Sequence, residues 1–283
     1  MPNYPPLLMH ALAIAKTDER IRAVVLNGSR VNPAVMPDAF QDIDLAMYVR
    51  DFPTYPCDFA RFTAYGEVLI TQTKAEQVFD PDDFEGDIAL IQFASGERLD
   101  ISFWPIETLE TSVINDSLSK ILIDKDHRID TQAEPSEVSY HVKKPTEAMF
   151  QSCVKQFYFL TLYVAKGVYR HQWAYAIDHL RLMRHGLEAQ IDWSLIAKQS
   201  LSTGKHHAKY PVLLDSGDYA AYLKTFPTAS KASVTLALNQ LLELFAAYAM
   251  RVAKQQHYAY NRRNYARVET AAKRWMHKGP PVR

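Results

Sequence analysis

Apolar positions recur with period two through the first hundred residues and with a helical period after about residue 145, so the pattern alone divides the chain into a strand-rich part and a helical part. The run Ile21 to Leu26 (IRAVVL) is β-branched and stops at Asn27-Gly28, which predicts a strand entering a tight turn. Ile43 to Val49 (IDLAMYV) places Ile43, Leu45, Met47 and Val49 on one face, because strand side chains alternate. Asp42 and Asp44 then share the other face. The runs 88–93 (IALIQF) and 98–103 (RLDISF) flank Ala94-Ser95-Gly96-Glu97, a connection of hairpin length, and are expected to pair antiparallel. In the second run Leu99, Ile101 and Phe103 alternate with Asp100 and Ser102, so Asp100 also points away from an apolar face. Three aspartates are expected on one sheet surface.

Beyond Pro145, the positions of Phe150, Cys153, Phe157, Leu160 and Val164 predict a helix running to Lys166-Gly167. Trp173, Ile177, Leu180, Leu187 and Ile191 predict another amphipathic helix or helix pair, with Gly186 as the break. The clearest apolar stripe is Val234, Leu238, Leu241, Leu242, Phe245, Tyr248, Ala249 and Val252. No internal repeat interrupts this order, and the polar, Pro-containing stretch 130–145 reads as the boundary. The expected class is α+β: a mixed sheet with helices over residues 1–140, then an all-α bundle over 141–283.

A chain of 283 residues, 48% hydrophobic and 23% charged, has the make-up and length of a two-domain globular protein. Lys plus Arg balances Asp plus Glu at 32 each, so no overall field draws the molecule to nucleic acid or membrane. Cys57 and Cys153 are too few for a disulfide framework. The N-terminal stretch lacks the basic run and cleavage pattern of a secretory leader, and the apolar region 234–252 is interrupted by Asn239, Gln240 and Glu243. Both features lead to the expectation of a cytoplasmic protein without a membrane span. Charge is nonetheless uneven. EQVFDPDDFEGD (76–87) holds six acids and no base, which reads as a solvated loop or as a collector of cations, and residues 251–283 hold nine Lys or Arg and one acid. That tail reads as a basic helix docked on an acidic body.

The chemistry concentrates where a strand ends, Gly28-Ser29-Arg30 follows, and Asp42-Ile43-Asp44 begins the next strand. A Gly-Ser turn exposes backbone N–H groups and a hydroxyl suited to phosphate oxygens, and two carboxylates two residues apart converge on a hard divalent cation such as Mg2+. A third carboxylate on a neighbouring strand, Asp100, completes such a shell and accepts the proton of an attacking hydroxyl, which is the equipment of in-line nucleotidyl transfer.

This order of features resembles the signature of the nucleotidyltransferase superfamily. VVLNGSRVNP, FQDIDLAMYV, LIDKDHRI, YHVKKP, YVAKG, AIDHL and Gly204-Lys205 are, in addition, similar to successive landmarks of the aminoglycoside 6-adenylyltransferase (streptomycin adenylyltransferase) family, along nearly the whole chain. The resemblance implies an N-terminal nucleotidyltransferase domain and a helical domain that together enclose the substrates. It implies transfer of AMP from ATP to the 6-hydroxyl of streptomycin or a related aminoglycoside with Mg2+, release of pyrophosphate, and antibiotic resistance. By the same resemblance Gly28, Ser29 and Arg30 cradle the triphosphate and Asp42 and Asp44 bind Mg2+. Asp100 is base and third ligand, and Lys205 reaches phosphate. Asp178 and Tyr158 are expected at the cationic acceptor, although Asp178 reads equally well as a helix-surface ion pair with Arg181 or Arg184. Where the family pattern has an acid, Phe-Trp and a polar residue, this chain has Gln156, Phe157, Tyr158 and Phe159. The expected partners are ATP and a small cationic acceptor such as streptomycin, with neither nucleic acid nor membrane, and the expected state is a monomer. Two rival readings use the same residues: a nucleotidyltransferase with another small-molecule, protein or RNA acceptor, and a protein that holds ATP without turnover.

Overall fold

The computed structural model describes residues 4–77, 86–197 and 199–279, so most of the acidic segment 76–87 lies outside the described residues. The chain divides into two compact units, 1–139 and 140–283.

The first unit is a six-stranded sheet with helices on both faces. Its strands are β1 (Ile21–Asn27), β2 (Ile43–Val49), β3 (Val68–Thr73), β4 (Asp87–Phe93), β5 (Arg98–Pro105) and β6 (Ser119–Asp124), in spatial order β3-β4-β5-β2-β1-β6. β4 and β5 form the expected antiparallel hairpin, whereas β5 returns to lie parallel to β2. The alternation read from the sequence decides what each face buries. Ile43, Leu45, Met47 and Val49 of β2, with Leu99, Ile101 and Phe103 of β5, pack beneath α1 (Pro6–Thr17) and α2 (Ala60–Thr63). The apolar N-terminal stretch is thus a core helix, burying Leu7, Leu8, Ala11, Leu12 and Ala15. The opposite face is split along its length. Ala46 and Tyr48 are covered by Ile106 and by Leu109 of α3 (Leu109–Asn115), while Asp44 and Asp100 stand at the uncovered end of their strands.

The second unit is all helical: α4 (Glu147–Tyr169), α5 (Trp173–Leu195), the short turns α6 (Tyr210–Leu213) and α7 (Ser216–Leu223), α8 (Lys231–Gln256) and α9 (Ala266–Lys278). α4 runs through Lys166-Gly167, and α5 is one helix, with no break at Gly186. That glycine lies where α5 meets the stacked rings of Phe157 and Phe245, whose centroids are 3.6 Å apart. α8 is long and apolar enough to cross a membrane, but its stripe, from Val234 to Val252, is spent on the core of this unit. The basic tail is tied down within the same unit. Arg262 forks Glu243 of α8 and also binds Glu269 of α9, and Tyr258, Tyr260, Tyr265 and Trp275 pack against the core.

Candidate functional site

β1 delivers the chain to Gly28 at φ +74°, a left-handed conformation that glycine adopts without cost. Space imposes a second demand, because a Cβ at Gly28 falls 2.4 Å from Oδ2 of Asp44, so the turn is seated directly on that carboxylate. The amide of Gly28 donates to the Leu118 carbonyl at 3.0 Å, which makes its role one of clearance and leaves Ser29 as the phosphate-binding candidate of the turn.

Arg30 does something other than expected. Its guanidinium donates to the backbone carbonyls of Asp42 (3.0 Å) and Gln41 (2.6 Å), and the Gln41 amide donates back to the Ser29 carbonyl at 3.3 Å. The loop between turn and β2 is therefore cross-tied, and Arg30 fixes the segment that carries Asp42. The sequence shows a basic residue in a phosphate-type turn; it does not show that carbonyls eleven and twelve residues on engage its Nη2 and Nε.

Asp44 and Asp100 face each other as register partners of the parallel β2–β5 pair. Asp42 precedes β2 on the same side, and among these carboxylates lies a residue the motif reading missed, Arg98. Its Nε and Nη2 donate to the two Asp100 oxygens at 2.7 and 2.8 Å, and its Nη1 lies 3.7 Å from Asp42 Oδ2. The hydrogen bond to Asp100 raises the Arg98 pKa above its ordinary value, against opposing burial, with the charges of Asp100, Asp42 and Asp44 adding to it. The signal was available: the alternation that puts Asp100 on the polar face of β5 puts Arg98, two residues earlier, on that face too.

The donor set suits a hard divalent ion by chemistry, being the carboxylate oxygens of Asp44 and Asp100 on paired strands with Asp42 on the same side. Among the described residues, no three His, Cys, Asp or Glu side chains form a group able to hold a metal, and at this cluster the cation present is the Arg98 guanidinium.

In the second unit, Gly204 (φ +78°) opens a 3-10 turn that carries Lys205 exposed. His206 and His207 follow with φ of 52° and 58°. The turn is pinned to α5 through His207, whose ring nitrogens lie 3.5 Å from Asp192 and 3.8 Å from Glu188. Asp192 also accepts from the Tyr210 hydroxyl and Glu188 from the Tyr222 hydroxyl, so a buried polar cluster anchors the segment. Asp178 is exposed on α5 and pairs with Arg181 at 3.1 Å, the surface ion pair of its second reading. Tyr158 departs from expectation. It is 1% exposed, stacked on Tyr265 at 4.1 Å and hydrogen-bonded to the Tyr260 hydroxyl, because the apolar face of α4 turns it inward. Of its segment, Gln156 and Phe159 are the exposed members.

Comparison with known proteins places the chain in a family. Residues 3–274 match the model of the streptomycin adenylyltransferase family. An aminoglycoside 6-adenylyltransferase of Campylobacter jejuni is 33% identical over 252 residues, covering 88% of each chain. One of Bacillus subtilis (strain 168) is 30% identical, over 88% of this chain and 89% of its own. A solved structure, an aminoglycoside 6-adenyltransferase from Bacillus subtilis, aligns with 97% of this chain and 100% of its own at 24% identity and a TM-score of 0.47. Matched along nearly its whole length, the chain belongs to the streptomycin adenylyltransferase family.

Proposed function

We propose that this protein transfers AMP from ATP to a hydroxyl of a small cationic acceptor, the 6-hydroxyl of streptomycin or a related aminoglycoside, and thereby confers resistance to it. The observation that carries the reading is the Gly28-Ser29 turn seated against Asp44, with Asp44 and Asp100 side by side on β2 and β5. The relatives' names, aminoglycoside 6-adenylyltransferase, support the acceptor class.

In this reading Ser29 binds phosphate, Gly28 keeps the turn clear of Asp44, and Arg30 holds Asp42 in place through the backbone. Asp42 and Asp44 would hold Mg2+, which would supply neutralising charge to the triphosphate and to the pyrophosphate. The acceptor oxygen bonds to the α-phosphorus, and the bond from that phosphorus to the β-bridging oxygen breaks. Pyrophosphate leaves with the electron pair, and the hydroxyl proton passes to the Asp100 carboxylate. Lys205, exposed in its turn, is assigned to phosphate as a point charge, and Asp178 to the cationic acceptor. Tyr158 has no place in the reading, since packing accounts for it.

Mass spectrometry of streptomycin and a panel of aminoglycosides, after incubation with the protein, ATP and Mg2+, tests the acceptor. One added AMP on streptomycin is the expected result; no adduct on any member overturns the acceptor class. Asp42→Asn and Asp100→Asn each remove charge at constant volume, and kcat/KM is expected to fall by at least about a hundredfold with the melting temperature preserved. Activity near normal in either variant contradicts the mechanism.

A further inference from the structure

Resting on the function proposed above, we propose that Arg98 is a positioning residue that competes with free divalent cation for Asp100 and Asp42, and passes from carboxylate to phosphate when the metal arrives together with the nucleoside triphosphate.

The competition follows from geometry. Arg98 engages both oxygens of Asp100 in a two-pronged fork at 2.7 and 2.8 Å and reaches toward Asp42 at 3.7 Å. A guanidinium is always charged, and such a charge-assisted fork is roughly twice as strong as a neutral hydrogen bond. A cation that takes an Asp100 oxygen must break one prong, and one that takes Asp42 gives up the attraction between that carboxylate and Arg98. Arg98 cannot move far from the site, because strand alternation fixes its Cα two residues from Asp100 on the same face of β5. Asp100 is 17% exposed and Arg98 35%, so the pair is only partly screened by water.

The transfer follows from charge. With three carboxylates around one guanidinium, a lone divalent ion has to displace a bound cation and leave that cation without an anionic partner. A triphosphate supplies one: phosphate oxygens offer a guanidinium the same bidentate geometry as a carboxylate. Released from Asp100, Arg98 then holds phosphate, and Asp100 becomes free to accept a proton. Arg98 thus links base activation to nucleotide arrival, which disfavours a metal-loaded site without substrate.

The test measures binding of Mn2+ alone to the full-length, nucleotide-free protein by isothermal titration calorimetry. Arg98→Gln is expected to bind Mn2+ about tenfold more tightly than wild type, and Arg98→Lys, which keeps charge but loses the fork, between the two. With Mg-ATP, Arg98→Gln is expected to raise KM. Folding is checked by melting temperature, and Arg98→Lys decides the matter alone if Arg98→Gln does not fold. Wild-type binding that Asp42→Asn weakens, with equal or weaker binding in the Arg98 variants, overturns this inference and leaves the function standing. Undetectable Mn2+ binding in wild type and every Arg98 variant overturns the metal site and this inference with it.

Discussion

A single glycine shows how closely conformation and chemistry are joined in this site. At Gly28 an alanine meets two penalties: a positive φ that L-residues resist, at roughly 1 kcal/mol, and a Cβ 2.4 Å from Asp44 Oδ2. The obstructing atom is the tip of a side chain, so the fold survives by turning Asp44 aside. Gly28→Ala is therefore expected to stay folded, with stability lowered by about 1–2 kcal/mol in urea denaturation, while kcat/KM falls at least about a hundredfold. Activity retained alongside a normal melt would detach Asp44 from the reaction. This pairing of turn and carboxylate was half legible in the sequence. Gly-Ser after a strand and Asp-x-Asp at the head of the next were readable from spacing, but their contact was not, because fifteen intervening residues hide it. Arg98 and Arg30 escape a motif reading for opposite reasons. The first belonged to the period-two face and was not placed there; the second had the right chemistry for phosphate but its donors are claimed by local carbonyls.

Among the elements, long periodic stretches were readable and short exposed ones were not. The stripes of α4, α5 and α8 and the alternation of β2 and β5 follow from which face meets the core. β3 is an exposed edge strand whose Leu69 and Ile70 are 64% and 66% exposed, so no buried alternation announces it. The short β6 finds its place only by pairing with β1. At Gly186 the pattern allows one helix or two, since glycine is a helix breaker by propensity; the helix continues through it because packing on both sides outweighs that cost of about 1 kcal/mol. A Cβ at Gly186 meets Phe157, Cys153 and Phe245 at 3.5 to 3.8 Å, ordinary contact distances. Gly186→Ala is accordingly expected to stabilise the protein by about 0.5–1 kcal/mol. Gly167 gives the contrast, since its Cβ would fall 2.9 Å from Ala176 Cβ and 3.1 Å from Ala176 Cα, where α4 and α5 approach backbone to backbone. Gly167→Ala should destabilise by roughly 1–3 kcal/mol, and chemical denaturation of the two variants side by side checks the opposition.

For the whole molecule, two partly buried charge clusters contribute to how stability responds to pH, one in each unit. In the first, burial tends to raise the Asp18 pKa, but hydrogen bonds from Arg61, the Arg20 amide and Tyr55 outweigh it and hold the carboxyl below its ordinary value. A group depressed in the folded state stabilises above its unfolded pKa, near 3.8, and that contribution is lost as pH falls through the folded value. In the second, the hydrogen bond with Asp192 raises the His207 pKa, burial opposes it, and the charges of Asp192 and Glu188 add to the rise. The sign is reversed: this contribution is complete below the unfolded value of 6.5 and disappears as pH rises through the folded one. Asp18 thus shapes the acid limb of the stability curve and His207 the limb on the alkaline side of neutrality. Removing each should move one limb alone. His207→Gln is expected to lower the melting temperature by roughly 3 °C at about pH 6, corresponding to about 1 kcal/mol, and to converge on wild type by about pH 9. Asp18→Asn is expected to do the converse, with its deficit present at neutral pH and shrinking toward about pH 3. Melting curves of the full-length protein across this range decide the point: a His207→Gln deficit of equal size at pH 6 and pH 9 would mean that packing, and not the charge pair with Asp192 and Glu188, anchors the turn that carries Lys205.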